Sequence, residues 1–164
     1  PPGLCVVTVS DAAYARSENM ENKGYYFDFV ALEGKAVKNQ TPATPAISLI
    51  NALNVQMDRI LAEGVEKRFA RHAEMAKYIQ DWASKYFGLY AADVKYLSPT
   101  VTNITNTRNI SVADLNKELA KRGAMLSNGY GVLKEKAFRI AHMGDIQMED
   151  LRWLTSQIEE ILDL

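Results

Sequence analysis

Hydrophobic positions along this chain change period several times. Residues 4–9 form an unbroken apolar run rich in β-branched side chains, which predicts a buried strand with Cys5 as a buried thiol inside it. Ser10 and Asp11 then offer an N-cap for a short helix to about Arg16, and the polar residues 17–24 read as a loop. A second helix is expected over 25–37, where Tyr26, Phe29, Val30 and Val37 give a ragged apolar face that Gly34 weakens. Thr44 as cap and Pro45 as first helical residue predict a third helix, in which Ala46, Ile50, Leu53, Met57 and Ile60 keep helical spacing until Gly64. A longer helix is expected over 65–86, with Val65, Phe69, Ala76, Ile79 and Ala83 on one face. His72 falls on that stripe and reads as a packed histidine.

Beyond Gly88 the pattern turns to short strands, at 89–91 and at 100–105, where Val101, Asn103 and Thr105 alternate. Ser111 caps a helix over 111–122 with Val112, Leu115 and Leu119 on its apolar side. A strand at 124–126, a glycine turn at 129–131, a strand at 137–142 and a closing helix from about Gln147 complete the chain. Leu151, Leu154, Ile158 and Ile161 line one face of the last helix, and Glu149 and Asp150 suit its positive N-terminal end. From about residue 63 this order predicts a compact α+β domain with helices on one face of a small, mostly antiparallel sheet. Residues 1–62 have one strand and too few helices to close a core, and are expected to be the tail of a larger domain.

Composition narrows the partners. With 19 basic and 20 acidic residues among 164, the net charge of -1 carries no footprint for nucleic acid or an anionic membrane. Apolar runs are too short to span a bilayer, and no signal-peptide pattern opens the chain. A single cysteine gives no disulfide framework and too few soft ligands for zinc, which suits a reducing, cytoplasmic setting. His142 has no histidine or cysteine at metal-binding spacing, so no metal site is expected. Asn-x-Ser/Thr triplets at Asn39, Asn103 and Asn109 are assigned to chance in such a protein. The opening Pro1-Pro2-Gly3, running directly into a strand without a methionine, reads as the C-terminal piece of a longer protein.

Two stretches carry candidate chemistry. In residues 39–49, Pro42 and Pro45 stiffen an extended arm on which Gln40 and Thr41 present an amide and a hydroxyl. Those neutral donors, beside a helix N-terminus, suit a phosphate, although a plain capped loop would look the same. In residues 128–145, Arg139 lies between Ala137 and Ala141 on one face of a strand, with Phe138, Ile140 and His142 on the other. A recess between the alanines would leave the guanidinium free to grip a small carboxylate with two parallel hydrogen bonds, whereas an edge salt bridge is the plainer alternative.

"PPGL", "GYYFDF", "QTPATPAISL", "EKRFARHAEMA", "SPTVT" and "NGYGVLKEKAFRIAHMGD", in this order and spacing, closely resemble the C-terminal part of the class V aminotransferases. The alanine–glyoxylate and serine–pyruvate aminotransferases are the most similar group, and the resemblance covers essentially the whole chain. It implies an α/β, pyridoxal-phosphate-dependent transferase of the aspartate aminotransferase fold, fold type I. Residues 1–62 would be the tail of the large cofactor-binding domain, and 63–164 the small C-terminal α+β domain. The family is similar in being homodimeric with shared active sites. Its cofactor lysine would lie just upstream of Pro1, outside this chain. Carried over, Gln40 and Thr41 match residues that reach the phosphate of the neighbouring subunit's cofactor, and Arg139 matches the arginine that holds the substrate α-carboxylate. Lys35, Lys38 and Lys134 read as solvated charges rather than substitutes for the missing lysine.

The activity so implied exchanges an amino group between a small amino acid (alanine, serine or aspartate) and a 2-oxo acid such as glyoxylate or pyruvate, with the chain by itself inactive. A cysteine-desulfurizing relative would need a cysteine on a mobile C-terminal loop, and Cys5 is elsewhere. A phosphoserine-type aminotransferase would want further cations near Arg139, where only Lys134 and Lys136 occur. A non-catalytic α+β ligand-binding or dimerisation module is the alternative from a different class.

Overall fold

The computed structural model describes residues 3–164. Pro1 and Pro2, and with them the expected opening turn, lie outside the described residues. The chain divides into two compact units, Pro1–Ala62 and Glu63–Leu164.

In the first unit α1 spans Asp11–Glu18, capped by Ser10, whose side chain accepts from the Ala13 N–H. Helix α2 is Phe29–Ala36, shorter than the expected 25–37, because the Asp28 side chain accepts from Ala31 N–H and fixes the start there. Helix α3, Ile47–Glu63, starts two residues after Pro45. Its first bond runs from Ile50 N–H to the Ala46 carbonyl, so Ala46 and not Thr44 stands at the cap. Residues 4–9 correct the expectation of a strand. They form no ladder, Val6 and Val7 are 77% and 62% exposed, and Cys5 is exposed rather than buried. A strand needs a neighbour to take its N–H and C=O groups, and no described residue pairs with this segment.

The second unit opens with α4, Val65–Tyr86, matching the expected span, but its buried face is Met75, Ala76, Ile79, Trp82 and Ala83. Val65 and Phe69, expected on that face, are exposed. Four strands follow in spatial order β1-β2-β4-β3, every neighbouring pair antiparallel. They are β1 (Gly88–Leu89), β2 (Val101–Thr105), β3 (Ser127–Asn128) and β4 (Ala137–Ala141). Strand β3 sits beyond the expected 124–126, since it is Ser127 and Asn128 that pair with Arg139 and Phe138. Helices α5 (Val112–Lys121) and α6 (Met148–Leu162) complete the unit.

All three helices of this unit share one core with one face of the sheet. Thr102, Ile104, Phe138 and Ile140 are buried there against Met75, Ile79, Leu115, Leu119, Leu151 and Ile158. Two polar ties fix α4 to α6: Trp82 Nε1 donates to Glu159 at 2.8 Å, and the Tyr78 and Thr155 hydroxyls are 2.8 Å apart. Because side chains alternate along a strand, Asn103, Arg139 and Ser127 are left together on the opposite face.

Candidate functional site

Arg139 stands in the middle of β4, with Asn103 of β2 and Ser127 of β3 as its cross-strand neighbours. The alternation that aims it away from the core is the one its sequence carries. The alanines beside it do not make a symmetric recess, however: Ala137 is 1% exposed, whereas Ala141 is exposed at the strand end. The guanidinium is half-buried and makes no hydrogen bond or ion pair with any described residue. Its contact is with the ring of Tyr130, whose centroid lies 5.3 Å from Arg139 Cζ. Beyond it opens a hollow of about 310 Å³ whose walls include Met125, Leu126 and Trp153. An arginine without a carboxylate partner, with aromatic and apolar neighbours, is a ready acceptor for a small carboxylic acid.

The loop between β3 and β4 is built in detail. Asn128 Oδ1 accepts from the N–H groups of Gly129 (2.7 Å) and Glu135 (3.0 Å), and its amide donates to the Glu135 carboxylate. The other Glu135 oxygen accepts from the Val112 N–H at 2.6 Å, at the start of α5. Asn106 donates to the carbonyls of Glu135 and Ile110. Glu135 holds φ at 61°, a left-handed conformation that these bonds on both sides impose. Gly129 is required by space: a Cβ there would lie 2.1 Å from the Leu133 carbonyl oxygen. None of this network was singled out from the sequence, where "GYG" was the visible signal and the pairing partners lie up to 29 residues apart.

Gln40 and Thr41 lie in the first unit, and their position follows from how α2 ends. Asn39, at φ 54°, closes a Schellman motif: its N–H reaches the Ala36 carbonyl and the Gln40 N–H reaches the Lys35 carbonyl. Tyr25 OH then pins the arm by donating to the Pro42 carbonyl at 2.8 Å. Both residues are exposed. The Gln40 amide has no partner among the described residues, while the Thr41 hydroxyl donates to Ala43 O at 2.6 Å. Together they border a cavity of about 550 Å³ that Tyr14, Glu33, Phe29 and Val9 also line. Hydrogen bonding to Glu33, with burial and the carboxylate's charge, pushes the Tyr14 phenol up to about 12, so it stays protonated.

In the second unit Glu63 and His142 are among the displaced titratable groups. Glu63 is held down to about 2 chiefly by its hydrogen bond from Arg71, with Arg68 adding to it. Burial lowers His142, which is 0% exposed and bonded through Nε2 to Thr102 Oγ1 at 2.9 Å. Among the described residues no three His, Cys, Asp or Glu side chains gather as a metal site would require, and no helix is long and apolar enough to cross a membrane.

No family model matches this chain. Individual relatives do. An uncharacterized aminotransferase of Methanocaldococcus jannaschii is 35% identical over 147 residues, covering 88% of this chain and 38% of that protein. The L-aspartate–glyoxylate aminotransferase of Paracoccus denitrificans is 31% identical over 151 residues, 89% of this chain and 37% of its own length. Among solved structures, pyridoxamine–pyruvate aminotransferase from Mesorhizobium loti superposes with a TM-score of 0.80 at 27% identity, covering 94% of this chain and 41% of that one. The architecture is thus that of the C-terminal part of the aminotransferases of fold type I, which depend on pyridoxal phosphate. The relatives it resembles within that fold are class V aminotransferases. It spans about two fifths of the length of the relatives it matches.

The donors present fit one flank of a pyridoxal phosphate and not a whole cofactor site. A free primary amide at Gln40 and a hydroxyl at Thr41, on an arm fixed at both ends, can each donate to a phosphate oxygen, the hydroxyl by turning from Ala43.

Proposed function

We propose that this chain is the carboxylate-holding part of a pyridoxal-phosphate-dependent transaminase. The whole enzyme exchanges an amino group between a small amino acid (alanine, serine or aspartate) and a 2-oxo acid such as glyoxylate or pyruvate. The observation that carries this reading is Arg139, a strand guanidinium with no acidic partner among the described residues, on the sheet face the helices leave open. Substrates on both sides of a transamination share a carboxylate next to the reacting carbon. One arginine can therefore hold donor and acceptor alike, and fix the Cα–H bond toward the base.

In this reading residues 1–62 are the tail of the large domain, 63–164 are the small domain, and two subunits share their active sites. Gln40 and Thr41 donate to the phosphate of the neighbouring subunit's cofactor. Pyridoxal phosphate, when bound, supplies the electron sink for removal of the Cα proton. The lysine that carries the cofactor in such enzymes precedes Pro1 by the resemblance, so these 164 residues alone neither transaminate nor bind the cofactor tightly.

The test is a protein extended upstream through that lysine and purified with pyridoxal phosphate. Its visible cofactor absorbance is followed as single amino acids are added. One or two donors are expected to bleach it, and Arg139→Lys to raise KM for donor and acceptor together by roughly 10- to 100-fold, as loss of a paired charge-assisted hydrogen bond predicts. A protein without the absorbance band, or an unchanged KM in the variant, overturns the reading.

A further inference from the structure

Tyr130 is a large aromatic residue held in solvent by a loop with little freedom. It is 80% exposed, and its hydroxyl makes no hydrogen bond with a described residue, yet the backbone on both sides of it is fixed. On one side the Gly129 N–H donates to the Ala137 carbonyl at 2.9 Å and to Asn128 Oδ1 at 2.7 Å. On the other the chain enters a short 3-10 turn, Gly131–Leu133, in which the Leu133 N–H returns to the Tyr130 carbonyl at 3.0 Å. Asn128 and Glu135 close the loop at its base and tie it to the start of α5. So much fixing of a loop whose tip residues are exposed needs a reason, and the Arg139 guanidinium lies by the ring, its Cζ 5.3 Å from the centroid.

We propose that Tyr130 is a positioning residue for Arg139. With its centroid 5.3 Å from Arg139 Cζ, the ring restrains the guanidinium and leaves its N–H groups free to meet a carboxylate. An arginine side chain loses much rotamer freedom when it is fixed, and a fork fixed before the substrate arrives spares that loss on binding. A cation over an aromatic face does this without competing for the N–H donors, as a carboxylate partner would. The inference rests on the reading of Arg139 as the substrate's anchor and assigns the residue that aims it.

Two measurements test it. In the full-length enzyme loaded with cofactor, Tyr130→Leu is expected to raise KM for amino donor and 2-oxo acid by about 3- to 30-fold with kcat within about twofold, and Tyr130→Phe to restore the parent KM. In the 164-residue chain, the NMR signal of the Arg139 Nε–H is expected to carry a ring-current shift that Tyr130→Phe keeps and Tyr130→Leu removes. If Arg139→Lys raises KM but Tyr130→Leu changes neither KM nor the Nε–H signal, the anchor stands and the Tyr130 proposal falls. It falls equally if Tyr130→Phe behaves as Tyr130→Leu does, since the hydroxyl and not the ring would then act. If Arg139→Lys itself leaves KM unchanged, the reading beneath the proposal has failed.

Discussion

His142 and Arg139 lie three residues apart and go to opposite fates. Alternation along one strand sends Arg139 to the open face and His142 into the core, where it is 0% exposed and bonded to Thr102. Burial lowers the His142 pKa from its ordinary 6.5, so the unfolded chain binds a proton that the folded chain refuses. Stability from this group is complete above about pH 6.5 and is lost as the pH falls below that value. Melting temperatures of the chain between pH 7.5 and 5.5 should therefore decline, and His142→Gln should flatten the decline even though it lowers the starting value. An unaltered slope in the variant would assign the proton uptake on unfolding to another group. At this scale the strand period was enough to orient Arg139, but not to see Tyr130 beside it. The ring belongs to a loop that Glu135, in a left-handed conformation, closes through bonds to Asn128 and Val112, seven and 23 residues away.

Helix α4 shows what an element gains from its ends. Glu63, Arg68 and Arg71 make a cluster at its start, with Arg71 Nε and Arg68 Nη1 each 2.7 Å from a Glu63 oxygen. Arg71 also donates to the Gly144 and Ile146 carbonyls, and so ties the turn before α6 to the start of α4. Since Glu63 is held down to about 2 against an ordinary 4.5, its contribution is present above pH 4.5 and is lost as the pH falls through about 2. In acid titration of the folded chain Glu63→Gln should remove part of the stability loss between those values. Arg71→Met should lower the urea midpoint by the equivalent of about 1–3 kcal/mol without changing the slope, because two carbonyls lose their donor. A changed slope would point to disruption of the whole unit. Sequence periodicity found α4 from end to end, yet it placed Val65 and Phe69 on the buried face, where the structure has Met75 and Trp82. The stripe is long enough to cover the sheet only over its C-terminal half.

At the scale of the molecule the two units differ in how much they bury. In Glu63–Leu164 a continuous core runs from Met75 to Ile158, whereas Ser17 is the one buried residue described before Ala62. Limited proteolysis of the chain should cut first within residues 3–62 and leave a fragment beginning near Glu63; early cuts between β2 and β4 would contradict this. What the sequence by itself determined is local: the caps at Ser10 and Ser111, the span of α4, the two faces of β4, and through six ordered motifs the resemblance to class V aminotransferases. Those features depend on neighbours within a few residues, or on composition the chain carries wherever it goes. Tertiary structure alone decided that residues 4–9 lie exposed without a ladder, that β3 forms at Ser127–Asn128, and that the Tyr130 ring lies by Arg139. Each of these requires a partner distant in sequence to accept a hydrogen bond or a ring, and periodicity records only what a residue's own element presents.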